Sequence, residues 1–92
     1  MQRAVTMYFV TTKHDGYVLF CLTPSERCAL GLTEKGVVRL LVRGAAGDDW
    51  TVLHEWAAAD YSHTDFLAAL HHREEPGDPR QLLALLPERL HR

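Results

Sequence analysis

Six histidines in a chain of 92 residues are the first groups to test, because imidazole is the commonest metal ligand and a common general base. Their spacing argues against a metal centre. His71 and His72 are adjacent, so on a helix they point about 100° apart. His63 and His71 lie two turns apart along one helix face, too far to share an ion without a bridging ligand. His54-Glu55 does not extend to a His-Glu-x-x-His pattern, because position 58 is Ala58. Cys21 and Cys28 lack the close Cys-x-x-Cys spacing of structural zinc. No metal and no cofactor is expected.

Nucleophilic chemistry finds no better footing. Ser25 and Ser62 read as a first-turn residue and a helix cap, and neither sits in a Gly-x-Ser-x-Gly elbow. Cys28 has Arg27 beside it, which would lower a thiol pKa, but Ala29 and Leu30 mark a packed thiol. Asp48-Asp49 and Glu74-Glu75 fall in loops or helix ends, where carboxylates serve caps and solvent. Gly44-Ala45-Ala46-Gly47 lacks the lysine and helix start of a phosphate loop. An enzyme is not expected.

Two other constellations point to binding. In the run 37–43, Val38, Leu40 and Val42 alternate with Arg39, Leu41 and Arg43. A strand would send the first set inward and the second outward. Tyr8 or Tyr17 of the preceding hairpin would join the outward row, and arginine with tyrosine dominates binding hot spots. The same residues, Tyr8, Tyr17, Arg39 and Arg43, could stack on single-stranded nucleic acid. The second constellation is apolar. Trp50, Trp56, Tyr61, Phe66 and the leucines of the last helix, Leu86 and Leu90 among them, exceed what one thin layer needs. Part of that surplus suits a homodimer or partner surface.

The elements that must carry these residues can be read from punctuation and periodicity. Val5 to Val10 is β-branched and aromatic, Asp15-Gly16 is a hairpin turn, and Tyr17 to Leu22 returns as a second strand. Thr23-Pro24-Ser25-Glu26 has the form of a capping box, so a short helix ending near Gly31 is expected. Val37 to Arg43 is a third strand, and Gly44 to Asp49 a loop. Residues 50–56 fit a strand or a helix, with Trp-Thr-Val favouring the strand. Ser62 would cap a helix reaching Glu74. Asp78-Pro79 would open a last helix, kinked or stopped at Pro87.

The expected fold is therefore α+β: a small antiparallel sheet of three or four strands with three helices, two of them C-terminal, packed on one face. The length allows one domain, sheet-rich over 1–56 and helical over 62–92. No run approaches ~20 consecutive apolar residues, so no transmembrane helix is expected. Residues 1–10 make a poor signal peptide. Two cysteines are too few for a disulfide scaffold and fit a reducing, cytoplasmic setting.

Net charge is −2, but residues 1–44 carry six basic and three acidic groups, and residues 45–92 four basic and nine acidic. The acidic total disfavours nucleic acid, and polarised halves suit a protein partner. Eight arginines against two lysines, with abundant Ala, Leu and Gly, suggest a GC-rich bacterial or phage genome. The expected function is a small non-enzymatic regulator or inhibitor, acting by contact with a larger bacterial partner. Nucleic-acid binding through the Arg/Tyr face is the alternative, and a histidine-based metal protein a weaker one.

Overall fold

The computed structural model describes residues 7–71 and 73–91. β1 (Tyr8–His14) and β2 (Tyr17–Leu22) form the hairpin that Asp15-Gly16 predicts. Gly16 sits at φ 84°, a conformation that glycine adopts without a Cβ penalty. The first two residues of the expected strand, Val5 and Thr6, lie outside the described residues, as does His72.

No helix follows β2. Residues 23–27 form a tight turn into β3 (Cys28–Thr33). The polar groups that resemble a capping box close this turn instead. The Cys28 N–H donates to the Thr23 hydroxyl at 3.2 Å, and the Thr23 N–H donates to the Cys28 carbonyl at 3.0 Å. Glu26 takes φ 60°, which no helix accommodates. Two turns of isolated helix are marginal, whereas β3 pairs on both sides and buries Cys28, Ala29 and Leu30 completely. Pairing outweighs the local helix signal.

β4 (Val37–Val42) and β5 (Thr51–Ala57) complete an antiparallel sheet in the order β1-β2-β3-β4-β5. The strand reading of residues 50–56 is the one that forms. Register shifts between Phe9 and Thr12, Leu19 and Cys21, and Leu40 and Leu41 mark bulges that bend and twist the sheet.

The helical cover is thinner than the sequence suggests. α1 (His63–Leu70) is capped by Ser62, whose hydroxyl accepts from the Asp65 N–H at 3.2 Å, but it stops at Leu70 and does not reach Glu74. Beyond it come two 3-10 segments, Pro79–Leu85 and Glu88–His91, in place of a last α-helix. Asp78 caps the first, and Pro87, with no N–H to offer, separates the two. Over the described residues the fold is thus a five-stranded, mostly-sheet structure with one short α-helix. The expected three- or four-stranded α+β sheet with three helices is corrected on both counts. No helix among the described residues is long and apolar enough to cross a membrane.

The main core lies between one face of the sheet and this cover. Cys21, Leu30, Leu40 and Trp56 from the strands meet Phe66, Leu70, Leu82, Leu86 and Leu90. The Trp56 indole N–H donates to the Leu90 carbonyl at 2.7 Å, tying the C-terminal segment to β5.

Candidate protein-binding surface

Cross-strand partners in an antiparallel sheet point to the same face, so the register defines rows running across all five strands. On the helix-bearing face one row is Lys13–Val18–Leu32–Val38–Trp56, and another is Phe9–Cys21–Leu30–Leu40–His54. Burial is uneven along the first row and, in the second, breaks off abruptly between Cys21, 2% exposed, and Phe9 on β1. Trp56 and Val38 are buried and Val18 is half-buried, while Leu32 is 43% and Phe9 79% exposed. Among the described residues the cover buries Cys21 of β2 but leaves Phe9 of β1 and Leu32 of β3 exposed.

That shortfall leaves an apolar groove of about 310 Å³, lined by Val18, Phe20, Leu32, Val38, Ala58 and Tyr61. It lies at the low end of the ~300–1,000 Å³ typical of ligand sites. His63 closes the side nearest α1. Its ring packs against Phe9, Phe20 and Tyr61 with centroids 5.8–6.1 Å apart. Its Nδ1 is 2.8 Å from the Tyr61 hydroxyl, and its Nε2 is 3.8 Å from Cys21 Sγ. Burial lowers the His63 pKa, favouring the neutral ring.

The opposite face carries the residues singled out for binding, and their surroundings are different. Tyr8–Leu22–Ala29–Leu41–Val52 and Thr12–Leu19–Gly31–Arg39–Glu55 are its rows. Tyr8, Tyr17, Arg39, Leu41 and Arg43 are thus all on one face, as strand alternation predicts. Leu41, however, is only 2% exposed, packed with Leu19 and Ala29 beneath Tyr17, Leu22, Val10 and Trp50. Gly31 makes room for this second cluster, since a Cβ there would stand 3.1 Å from the Tyr17 ring and 3.3 Å from Leu41 Cδ1.

Both arginines of the row are engaged within the chain. Arg39 Nε donates to Glu55 Oε2 at 2.9 Å. Arg43 lies 3.9 Å above the Trp50 ring, and it donates to the Glu26 carbonyl at 2.6 Å and the Asp48 carbonyl at 3.3 Å. Its side chain is 12% exposed. Tyr17 stacks on His14 with centroids 5.0 Å apart. Among these five residues, Tyr8 retains the most exposed apolar surface.

The apolar surplus also divides. Trp56, Leu86 and Leu90 lie inside the main core. Trp50 is half-buried under Arg43, and Tyr61 half-buried at the groove. Sequence reasoning missed Phe9 and Leu32. Residue types carry no signal for either, since the place of β1 at the sheet's edge and the reach of the cover are set by tertiary packing.

The remaining reactive types are held in structural roles. Cys21 and Cys28 are free buried thiols, which burial pushes up to about 11 and about 12. Ser25 hydrogen-bonds Glu75, fastening the 23–27 turn to the chain beyond α1. Among the described residues, no three His, Cys, Asp or Glu side chains converge as a metal site. A larger and more open cleft of about 420 Å³ lies between α1 and the last turn, crossed by the Arg89–Asp65 ion pair at 3.1 Å. No family model, no curated protein and no solved structure matches this chain.

Proposed function

We propose that this protein is a small binding domain that recognises another protein through the uncovered, β1-side part of its helix-bearing face. The observation that carries the reading is Phe9, 79% exposed on this face, with its ring against His63, which also packs on Phe20 and Tyr61 of the apolar groove. A large aromatic side chain left in water next to a concave apolar surface is the pattern of an interaction site more than of a solvated face. Such a domain acts by occupying its partner's surface, as a regulator or inhibitor does. The raised thiol pKa values speak against Cys21 or Cys28 as a nucleophile, since a nucleophilic cysteine needs the reverse shift. The same free thiols support a reducing compartment, the cytoplasm.

The test is affinity capture with the tagged protein in its native cells. Wild type is compared with Phe9→Ser/Leu32→Ser and with Val52→Ser, an exposed apolar change on the opposite face. The proposal expects a specific partner retained by wild type and Val52→Ser and lost by the double variant. A partner retained by the double variant and lost by Val52→Ser would move the site to the other face.

A further inference from the structure

We propose that the segment recognised is a short stretch of another protein that presents large apolar side chains beside a carboxylate, with the carboxylate meeting Lys13. The inference rests on the protein-binding reading above and names the partner's chemistry.

Its first support is charge. Lys13 heads the row that runs through Val18 and Leu32 into the groove. Among the described strand residues that the register places on this face, it is the one with a charge, and it makes no ion pair. A separate cleft of about 250 Å³ shares Val18 and Leu32 with the groove; its other lining residues are Lys13 and Glu34, with His14, Tyr17 and Thr33 from an opposite-face row. Lys13 and His14 belong to the β1 bank and Glu34 to the β3–β4 turn, so the anion's place is on the β1 bank. An incoming segment with its apolar side chains over Phe9, Phe20 and Leu32 brings its neighbouring residues there.

The second support is size. Phe9 offers about 160 Å² at the usual area of an aromatic side chain. Leu32 and the half-buried Val18, Phe20 and Tyr61 bring the strip to a few hundred Å², well under the ~800 Å² per partner of a standard stable interface. That suits a peptide-sized segment. A second copy of this chain is a poorer fit, because β1 carries a bulge between Phe9 and Thr12 and a lysine at position 13, both of which oppose edge-to-edge pairing.

The experiment uses two fluorescein-labelled octapeptides rich in Phe and Leu, one carrying Asp residues and the other Asn at the same places. Each is titrated into the full chain by anisotropy and mapped by amide chemical shifts. The Asp peptide is expected to bind about two- to fivefold more tightly at low salt, the range of an exposed ion pair. Both should shift the amides of Phe9, Lys13, Val18, Phe20 and Leu32. Lys13→Gln should abolish the difference, and Phe9→Ser/Leu32→Ser should abolish binding of both. Equal affinities at the same amides overturn the carboxylate assignment alone and leave the apolar surface standing. Shifts from neither peptide on this face overturn the inference. A dimer of the free protein that Phe9→Ser dissolves would make a second copy the occupant and overturn it as well.

Discussion

Trp56→Phe tests how the thin cover is held to the sheet. In the native protein the indole N–H donates to the Leu90 carbonyl at 2.7 Å, with Trp56 3% and Leu90 2% exposed. Phenylalanine cannot donate, so a buried carbonyl is left without that partner, at a cost of about 1–3 kcal/mol. The smaller ring also leaves a void beside Tyr61 and Phe66, whose rings lie 5.3 and 6.2 Å from the indole; that adds on the order of 1 kcal/mol. The sum is about 2–4 kcal/mol, a large share of the roughly 5–14 kcal/mol expected for a domain of this length. At 4–8 °C per kcal/mol it corresponds to a Tm lower by roughly 8–32 °C. Urea titration followed by far-UV circular dichroism measures it without relying on the lost tryptophan. A loss under ~0.5 kcal/mol, with the wild-type indole proton exchanging freely, would refute the reasoning.

Further outcomes follow from the same contacts. Arg43→Ala should cost about 1–3 kcal/mol, because a mostly buried guanidinium loses two carbonyls and a tryptophan face. Arg39→Ala, in a solvent-exposed pair with Glu55, should cost only ~0.2–1 kcal/mol by the same denaturation assay. Gly31→Val should destabilise by about 1–3 kcal/mol, since its side chain meets the Tyr17 ring and Leu41, and aromatic NMR shifts of Tyr17 should report the displacement. For pH, both thiols have folded pKa values raised above the ordinary 9.0, to about 11 and about 12. The unfolded chain therefore loses these protons first, and stability present below pH 9 should fall as pH rises towards 11–12. Urea midpoints from pH 8 to pH 11 check the sign, and Cys21→Ala/Cys28→Ala should flatten the slope.

Some of this was readable from residue types, and the boundary has a physical cause. Asp15-Gly16, the β-branched run at 37–42, and the Ser62 and Asp78 caps are local signals whose geometry needs no distant partner. β3 was not readable in the same way. Its short Cys-Ala-Leu-Gly-Leu run is apolar at nearly every position, so periodicity cannot separate strand from helix. The polar cluster ahead of it can close a turn as well as cap a helix, and what decides is pairing with β2 and β4. The leucines after Asp78 likewise promise a helix, yet short segments broken by Pro87 settle for 3-10 turns anchored by Leu82, Leu86 and Leu90. For the binding surface, alternation placed Tyr8, Tyr17, Arg39, Leu41 and Arg43 on one face. It could not show that Glu55, Glu26, Asp48 and Trp50 would engage the arginines, because those contacts join residues from different turns and strands. Nor could it show that α1, only eight residues long, would leave Phe9 and Leu32 bare.

The most direct test of the central claim is site-specific photocrosslinking in the native cells, with benzoylphenylalanine at position 9 on the groove face or at position 52 on the opposite face. The groove-face account predicts a discrete covalent adduct with one protein from position 9 and none from position 52. An adduct from position 52 alone would contradict it.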